Sequence, residues 1–190
     1  MFFGDIKLFY LINHFRNTLL DSILPIFSIP TFIDFFYILV SFFLLIKYSL
    51  KKYLAILIFM ILGFIVIDFS CGNVLKPIFK RERPFISISN IYYYSNKKFI
   101  YLEKPLQKKS SFSFPSCHAS NSSFLSFFLS FFYPSLALIL YPFFILVGWS
   151  RIYLGVHFPF DVLGGWIFGF IFAFIFYKIC RRVLFEISAK

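Results

Sequence analysis

Acidic residues are scarce in this chain, eight Asp and Glu against 19 Lys and Arg in 190 residues. No region holds enough carboxylates for a two-metal cage, and no metal or other cofactor is implied. Histidine is limited to His14, His118 and His157. Cysteine is limited to Cys71, Cys117 and Cys180, with no C-x-x-C pair. That odd count forms no even disulfide framework, and free buried thiols are the expectation. Charged residues make up only 14% of the chain, against roughly 25% in a soluble domain. A water-soluble globule is a poor fit. The first twenty residues contain Asp5, Lys7, His14 and Arg16, and no small-residue cleavage site follows an apolar run. A cleavable signal peptide is therefore not expected. No internal repeat is visible.

What the chain does have is apolar surface. It is 60% hydrophobic and 25% aromatic, with 33 Phe. Such a surface has to face lipid, and the length suits one domain over residues 1–190. A membrane span needs about 20 mostly apolar residues. Five segments qualify: Thr31–Tyr48, Tyr53–Leu75, Ser116–Phe132, Leu136–Tyr153 and Phe158–Ile179. Leu19–Ser28 is apolar but short and broken by Pro25, so it is either interfacial, re-entrant or a sixth span. The expected fold class is all-α, an integral membrane bundle of five to six transmembrane helices. In the interfacial segment 1–30, Phe2, Phe3, Leu8, Phe9, Leu11 and Ile12 alternate with polar residues at roughly helical spacing. That pattern predicts an N-terminal amphipathic helix lying at the bilayer surface. Gly164, Gly165 and Gly169 in the last span allow close helix contact.

The formal charge of +11 is unevenly placed. The extramembrane loop 76–115 holds Lys76, Lys80, Arg81, Arg83, Lys97, Lys98, Lys104, Lys108 and Lys109 against Glu82 and Glu103, a net +7. Basic residues beside apolar spans point to anionic lipid or phosphate rather than nucleic acid. The other side carries Lys47, Lys51, Lys52, Lys178, Arg181, Arg182 and Lys190. If the loop charges serve a site, the Lys51–Lys52 turn and the Arg181–Arg182 tail mark the cytoplasmic face.

Three stretches concentrate the chemistry. They are Lys76–Pro84 (K-x6-R-P), Pro115–His118 (P-S-x-H) and Ser150–Asp161 (S-R-x5-H-x3-D). Alternation of the spans brings all three to one side of the membrane. Lys76, Arg83 and Arg151 supply three cations from three elements; Arg matches phosphate oxygens with a planar fork and Lys adds a point charge. Each alone would read as a snorkelling interfacial residue. Ser116 opens a helix whose free N–H groups, including that of Cys117, suit an anion; the same Ser also reads as an ordinary N-cap. His157, four residues before Asp161, has the spacing of a base and its orienting carboxylate. A cysteine phosphatase template, C-x5-R, would need Arg at position 123, where the chain has Ser123. Asp68, inside the second span, reads equally as functional or as a hydrogen-bonded structural carboxylate.

These three motifs, in this order over Lys76–Asp161, resemble the signature of the type 2 phosphatidic acid phosphatase (PAP2) family, in particular its small bacterial integral-membrane lipid phosphatases. One position departs, since Cys117 stands where the family usually has Gly. The resemblance implies His157 as nucleophile, Asp161 as its orienter and His118 as general acid. Lys76, Arg83, Ser116, Cys117 and Arg151 would bind phosphate, with a phosphohistidine intermediate and no metal. It also implies a site on the periplasmic or outer side of a bacterial inner membrane. The implied substrates are lipid A 1-phosphate, undecaprenyl diphosphate and phosphatidylglycerol phosphate. A lipid-to-lipid phosphotransferase and a non-enzymatic lipid-phosphate binding or transport protein are the alternatives. The latter would be expected to lack His118, His157 or Asp161, and all three are present.

Overall fold

The computed structural model describes residues 3–107 and 111–189. Helix α1 (Phe3–Asn13) is followed by α2 (Thr18–Ile23), which runs on as a 3-10 turn over Leu24–Ser28. Asn17 caps α2 by accepting from the Leu20 N–H at 2.8 Å. Helix α3 (Pro30–Ser41) begins at a proline whose missing N–H costs a first turn nothing. It continues through a 3-10 stretch, Phe42–Ile46. Helix α4 (Leu50–Phe69) passes through a π-helical turn, Ser70–Leu75, into the short α5 (Lys76–Phe79). Pro77 has no N–H for the Asn73 carbonyl and crowds it, which the wider turn accommodates. After α6 (Pro84–Ser87) come strands β1 (Ile91–Ser95) and β2 (Lys98–Leu102), then α7 (Cys117–Phe132), α8 (Ala137–Tyr153) and α9 (Pro159–Ala189).

Helix α7 is the centre of the bundle, packed by α3, α4, α8 and α9. Its buried residues include Phe124, Phe128 and Leu129, but also Ser120, Ser122, Ser123, Ser126 and Ser130. These hydroxyls are satisfied internally, as an apolar medium requires. Ser120 Oγ donates to the Ser116 carbonyl at 3.0 Å, and Ser126 Oγ to the Leu140 carbonyl at 3.1 Å. Two glycines of α9 let it lie against α7. A Cβ at Gly165 would come within 2.7 Å of the Ser116 oxygen, and one at Gly169 within 2.8 Å of the Phe124 nitrogen. The larger core gathers Tyr37, Ile56, Ile67, Phe124, Phe128, Leu140 and Val147. Across the rest of the surface, large apolar side chains such as Phe35, Ile58, Ile65, Leu138 and Ile167 are exposed, as expected of a multi-pass membrane protein.

Among the described residues, three helical stretches are long and apolar enough to cross a membrane: Leu50–Phe79, Pro134–Tyr153 and Pro159–Phe185. The pair Thr18–Ser28 and Pro30–Ile46, bent by 72°, would make a fourth if it acts as one span. Helix α7, with 16 residues, is shorter than these. Five uniform spans are thus not what the helices themselves display.

Two further expectations are corrected, and α1 adds a feature of its own. The fold is not purely α, because β1 and β2 pair antiparallel from Ile91↔Leu102 to Ser95↔Lys98. Aromatic residues favour a pleated, half-buried strand, and Asn96 and Lys97 both take positive φ, as a two-residue type I′ turn requires. Cys71 and Cys117 are not free thiols but form a disulfide across 46 residues, leaving Cys180 free and buried. The α4 π turn and the first turn of α7 bring them together, which composition could not reveal. Helix α1 buries Asp5, Phe9 and Asn13 at four-residue spacing and exposes Lys7, Leu8 and Leu11. Its two most buried polar side chains therefore face the protein. Residues Phe2, Lys108, Lys109 and Lys190 of the sequence reading lie outside the described residues.

Candidate active site

All three motifs meet at one end of the bundle. Lys76 opens α5 and Arg83 precedes α6; Ser116 is the N-cap of α7; Arg151 sits in the last turn of α8; Asp161 lies in the first turn of α9. His157 sits in the turn between α8 and α9, which folds back on Arg151: the Val156 and His157 N–H groups both donate to the Arg151 carbonyl at 3.2 Å. Gly155 takes φ +75° in that turn, and the hairpin backbone at Tyr92 and Tyr93 packs so closely that a Cβ would have no room. The Tyr94 N–H donates to the Leu154 carbonyl at 3.1 Å.

His157 is buried, 1% exposed, and its Nδ1 faces Asp161 Oδ2 at 3.5 Å. Burial first, then the charges of Arg83, Arg151 and Lys76, push its pKa well below the usual 6.5. Both effects favour the neutral imidazole, the form with a lone pair available. The same interactions place all three cations around this ring. Burial also lowers the Arg83 pKa, opposed by Asp161 and Tyr93. His118 lies within the field of Arg151, His157 and Lys76, and the Ser28 carbonyl is its hydrogen-bond acceptor. The Ser116 N–H donates to the Asp161 carbonyl at 3.0 Å, tying α7 to the start of α9.

Several polar atoms here are buried without a hydrogen-bond partner: Arg83 Nε, Arg151 Nε, Ser116 Oγ and His157 Nδ1, which stands beyond hydrogen-bond distance of Asp161. Buried polar groups are normally paired. The two Arg donors and the Ser116 hydroxyl, with the Lys76 cation and a helix N-terminus, form a cradle suited to a tetrahedral oxyanion. Ser116 is an N-cap by position yet makes no capping hydrogen bond, so its hydroxyl is available to that anion. The Cys117 side chain is committed to the disulfide, which leaves its backbone N–H at the site. Asp68 accepts from Asn121 Nδ2 at 2.7 Å, the hydrogen-bonded carboxylate reading. Among the described residues, no group of three His, Cys, Asp or Glu side chains is arranged to hold a metal ion.

Some participants were not singled out from sequence. Arg81 bridges two buried carboxylates, donating to Asp161 Oδ1 at 2.8 Å and also to Asp5. Ser150 Oγ donates to the Leu24 carbonyl at 2.7 Å, fastening the 3-10 turn beside Ser28 to α8. Asn13 Nδ2 reaches the carbonyls of Tyr92 at 2.8 Å and Tyr153 at 3.0 Å, joining α1, hairpin and α8. Asp5 did carry a signal: a carboxylate in an apolar segment of an acid-poor chain calls for a partner. Arg81 carried none beyond its place in a basic loop.

Known proteins resemble this chain in sequence and fold. The chain is 26% identical over 191 residues to a lipid A 4'-phosphatase of Bacteroides thetaiotaomicron, an alignment spanning 94% of this chain and 78% of that protein. It is 42% identical over 82 residues to phosphatidylglycerophosphatase B of Bacillus subtilis, covering 37% and 40% of the two chains. The crystal structure of Aquifex aeolicus LpxE superposes with a TM-score of 0.67 at 26% identity, over 93% of this chain and 96% of that one. That of the Bacillus subtilis PAP2-type phosphatidylglycerolphosphate phosphatase gives 0.63 at 23% identity over 95% and 86%, a likeness of fold. The PAP2 superfamily profile itself matches residues 52–184, through all three motifs, and the chain belongs to that superfamily.

Proposed function

We propose that the protein is a membrane lipid phosphatase that removes a terminal phosphate through a phosphohistidine intermediate. The observation that carries this reading is the convergence of Lys76, Arg83 and Arg151 on a buried His157 whose Nδ1 faces Asp161. The phosphate is bound by the three cations, the Ser116 hydroxyl and the α7 N-terminus. His157 Nε2 attacks phosphorus in line, forming the P–N bond as the P–O bond to the lipid breaks. His118 gives its proton to the departing lipid oxygen. Water then attacks phosphorus, His118 takes the proton, the P–N bond breaks and inorganic phosphate leaves. Charge developing on the equatorial oxygens meets donors already in place, which is where such a site gains most of its rate.

A lipid A phosphate is the substrate class best supported, because the lipid A 4'-phosphatase relative aligns over nearly the whole chain. Phosphatidylglycerol phosphate follows, from the shorter but more identical match; undecaprenyl diphosphate is the third candidate. In this reading the bent pair and α7 also cross the bilayer, giving five spans in a single domain. The site faces the periplasm or outside. Exposed Lys51, Arg181 and Arg182 at the far end fit a cytoplasmic face. A disulfide next to the site fits an oxidising compartment.

The test is phosphate release from a panel of these lipids by purified protein in detergent, with and without EDTA. The expected result is release that survives EDTA, with acid-labile phosphate on His157 when turnover is quenched. His157→Ala should lower turnover at least ~10³-fold. Retained activity in that variant would sink the mechanism, and loss in EDTA restored by magnesium would refute metal independence.

A further inference from the structure

Asp5 is a carboxylate with no exposed surface, on a helix that belongs to none of the three motifs. Burying a charge is costly unless it is paired and hydrogen-bonded, and both of its partners lead to Asp161. One oxygen accepts from the Arg81 guanidinium. The other, Oδ1, accepts from the Phe160 N–H at 2.9 Å. That N–H belongs to the first turn of α9, among the orphan donors of a helix start, one residue before Asp161. Arg81 uses its second terminal nitrogen on Asp161 Oδ1 at 2.8 Å. Asp161 Oδ2 accepts from the Phe158 N–H at 2.8 Å and lies 3.5 Å from His157 Nδ1, and the Ser113 hydroxyl is a further partner of the carboxylate.

Arg81 is held at its backbone as well as its guanidinium, and its side chain is 20% exposed. Lys80 takes positive φ and turns the chain inward at Arg81. The Ser113 N–H donates to the Arg81 carbonyl at 2.7 Å. The cation lies 4.3 Å from the centre of the Phe158 ring. A planar fork fixed in this way dictates where both carboxylates sit.

We propose that Asp5 and Arg81 are positioning residues: the chain Asp5–Arg81–Asp161 sets the rotation of the Asp161 carboxylate against His157, making α1 part of the catalytic centre. Neither touches the phosphate; both act through Asp161. The inference rests on the reading of His157 and Asp161 as nucleophile and orienter. A clamp that merely fastened α1 would have its effect on folding alone, and the packing of Phe9 on Phe158, ring centres 5.4 Å apart, already fastens it.

The experiment uses the full chain in detergent and the lipid phosphate hydrolysed fastest in the panel. Asp5→Asn is isosteric and keeps an acceptor for the Phe160 N–H while removing the charge that holds Arg81. Arg81→Lys keeps the charge but cannot span both carboxylates. Each is expected to slow the single-turnover rate of phosphoenzyme formation roughly 10–100-fold, as misplacement of a catalytic group does. KM and product inhibition by inorganic phosphate should change less than about threefold, since the cradle is intact. In an Asp161→Asn background, adding Asp5→Asn should cost less than about twofold, because groups acting as one unit are non-additive. An equal cost in both backgrounds, or a reduced phosphoenzyme amplitude with an unchanged rate constant, would overturn the proposal. If His157→Ala is inactive while both positioning variants match wild type, this inference fails and the phosphatase reading stands. If wild type releases phosphate from no lipid, both fail.

Discussion

The two ends of the bundle are made from similar basic residues and use them in opposite ways. At the far end, Lys47, Lys51, Lys178, Arg181 and Arg182 are exposed. Lys47 Nζ donates to the Phe132 carbonyl at 3.0 Å, a cation on the last turn of α7. At the site end, Lys76, Arg83 and Arg151 are partly buried and face one another and His157. Like charges held together out of water destabilise a fold. In the proposed reading the cluster is kept for an anion, whose arrival offsets the cost. The far end is solvated charge; the site end is stored electrostatic potential.

The comparison can be broken first with paired substitutions. Arg83→Ala or Arg151→Ala should each lower kcat/KM roughly 10²–10³-fold, the range for removing one preorganised donor. Lys51→Ala and Arg182→Ala should leave kcat/KM within about twofold and stability within about 0.5 kcal/mol. Equal effects at both ends, measured by phosphate release and thermal unfolding, would erase the distinction. The Arg151→Ala protein should also unfold at a higher temperature than wild type in phosphate-free buffer, and lose that advantage when phosphate is added.

A second break concerns the bond that ties the site end together. Cys71→Ser or Cys117→Ser should destabilise the protein by roughly 2–4 kcal/mol, since each opens a loop of intermediate length. The readout is a lower unfolding temperature, matched by wild type in reductant. Turnover at low temperature should fall less than in the Arg variants, because Lys76 and His118 keep their own helices. The smallest effect is expected from the hairpin lysines. Lys97, Lys98 and Lys104 are exposed on the site side, and neutralising them should raise KM and flatten its salt dependence while kcat holds. An unchanged KM for both a short-headed and a multiply phosphorylated lipid would leave them without a substrate role.

How much of this was legible in the sequence follows from the range of the interactions. His157 and Asp161 are four residues apart, and Lys76, Arg83, Ser116 and Arg151 mark the ends of apolar segments, so one interface followed from alternation alone. The hairpin was hidden in a loop counted for its charge, although Tyr92, Tyr93 and Tyr94 favour a strand. The Cys71–Cys117 bond was not legible, because three cysteines allow several pairings and only packing selects one. The Asp5–Arg81–Asp161 chain joins residues 76 and 80 positions apart. No local pattern encodes such a contact. Only the expense of a carboxylate in an apolar stretch hinted at it.

The serine content of α7 has a consequence for how the protein is made. Ser122 Oγ donates to the Ala119 carbonyl at 3.3 Å and Ser123 Oγ to the Ser120 carbonyl at 3.1 Å, and the Ser126 hydroxyl also meets Tyr37 at 2.8 Å. With 16 residues and five buried hydroxyls, this helix is a weak candidate to partition into lipid alone. Its neighbour α8 follows after the turn at Tyr133–Leu136 and is apolar enough to partition by itself. In the five-span reading proposed above, the two would enter the bilayer as a hairpin, with α8 supplying the larger apolar drive.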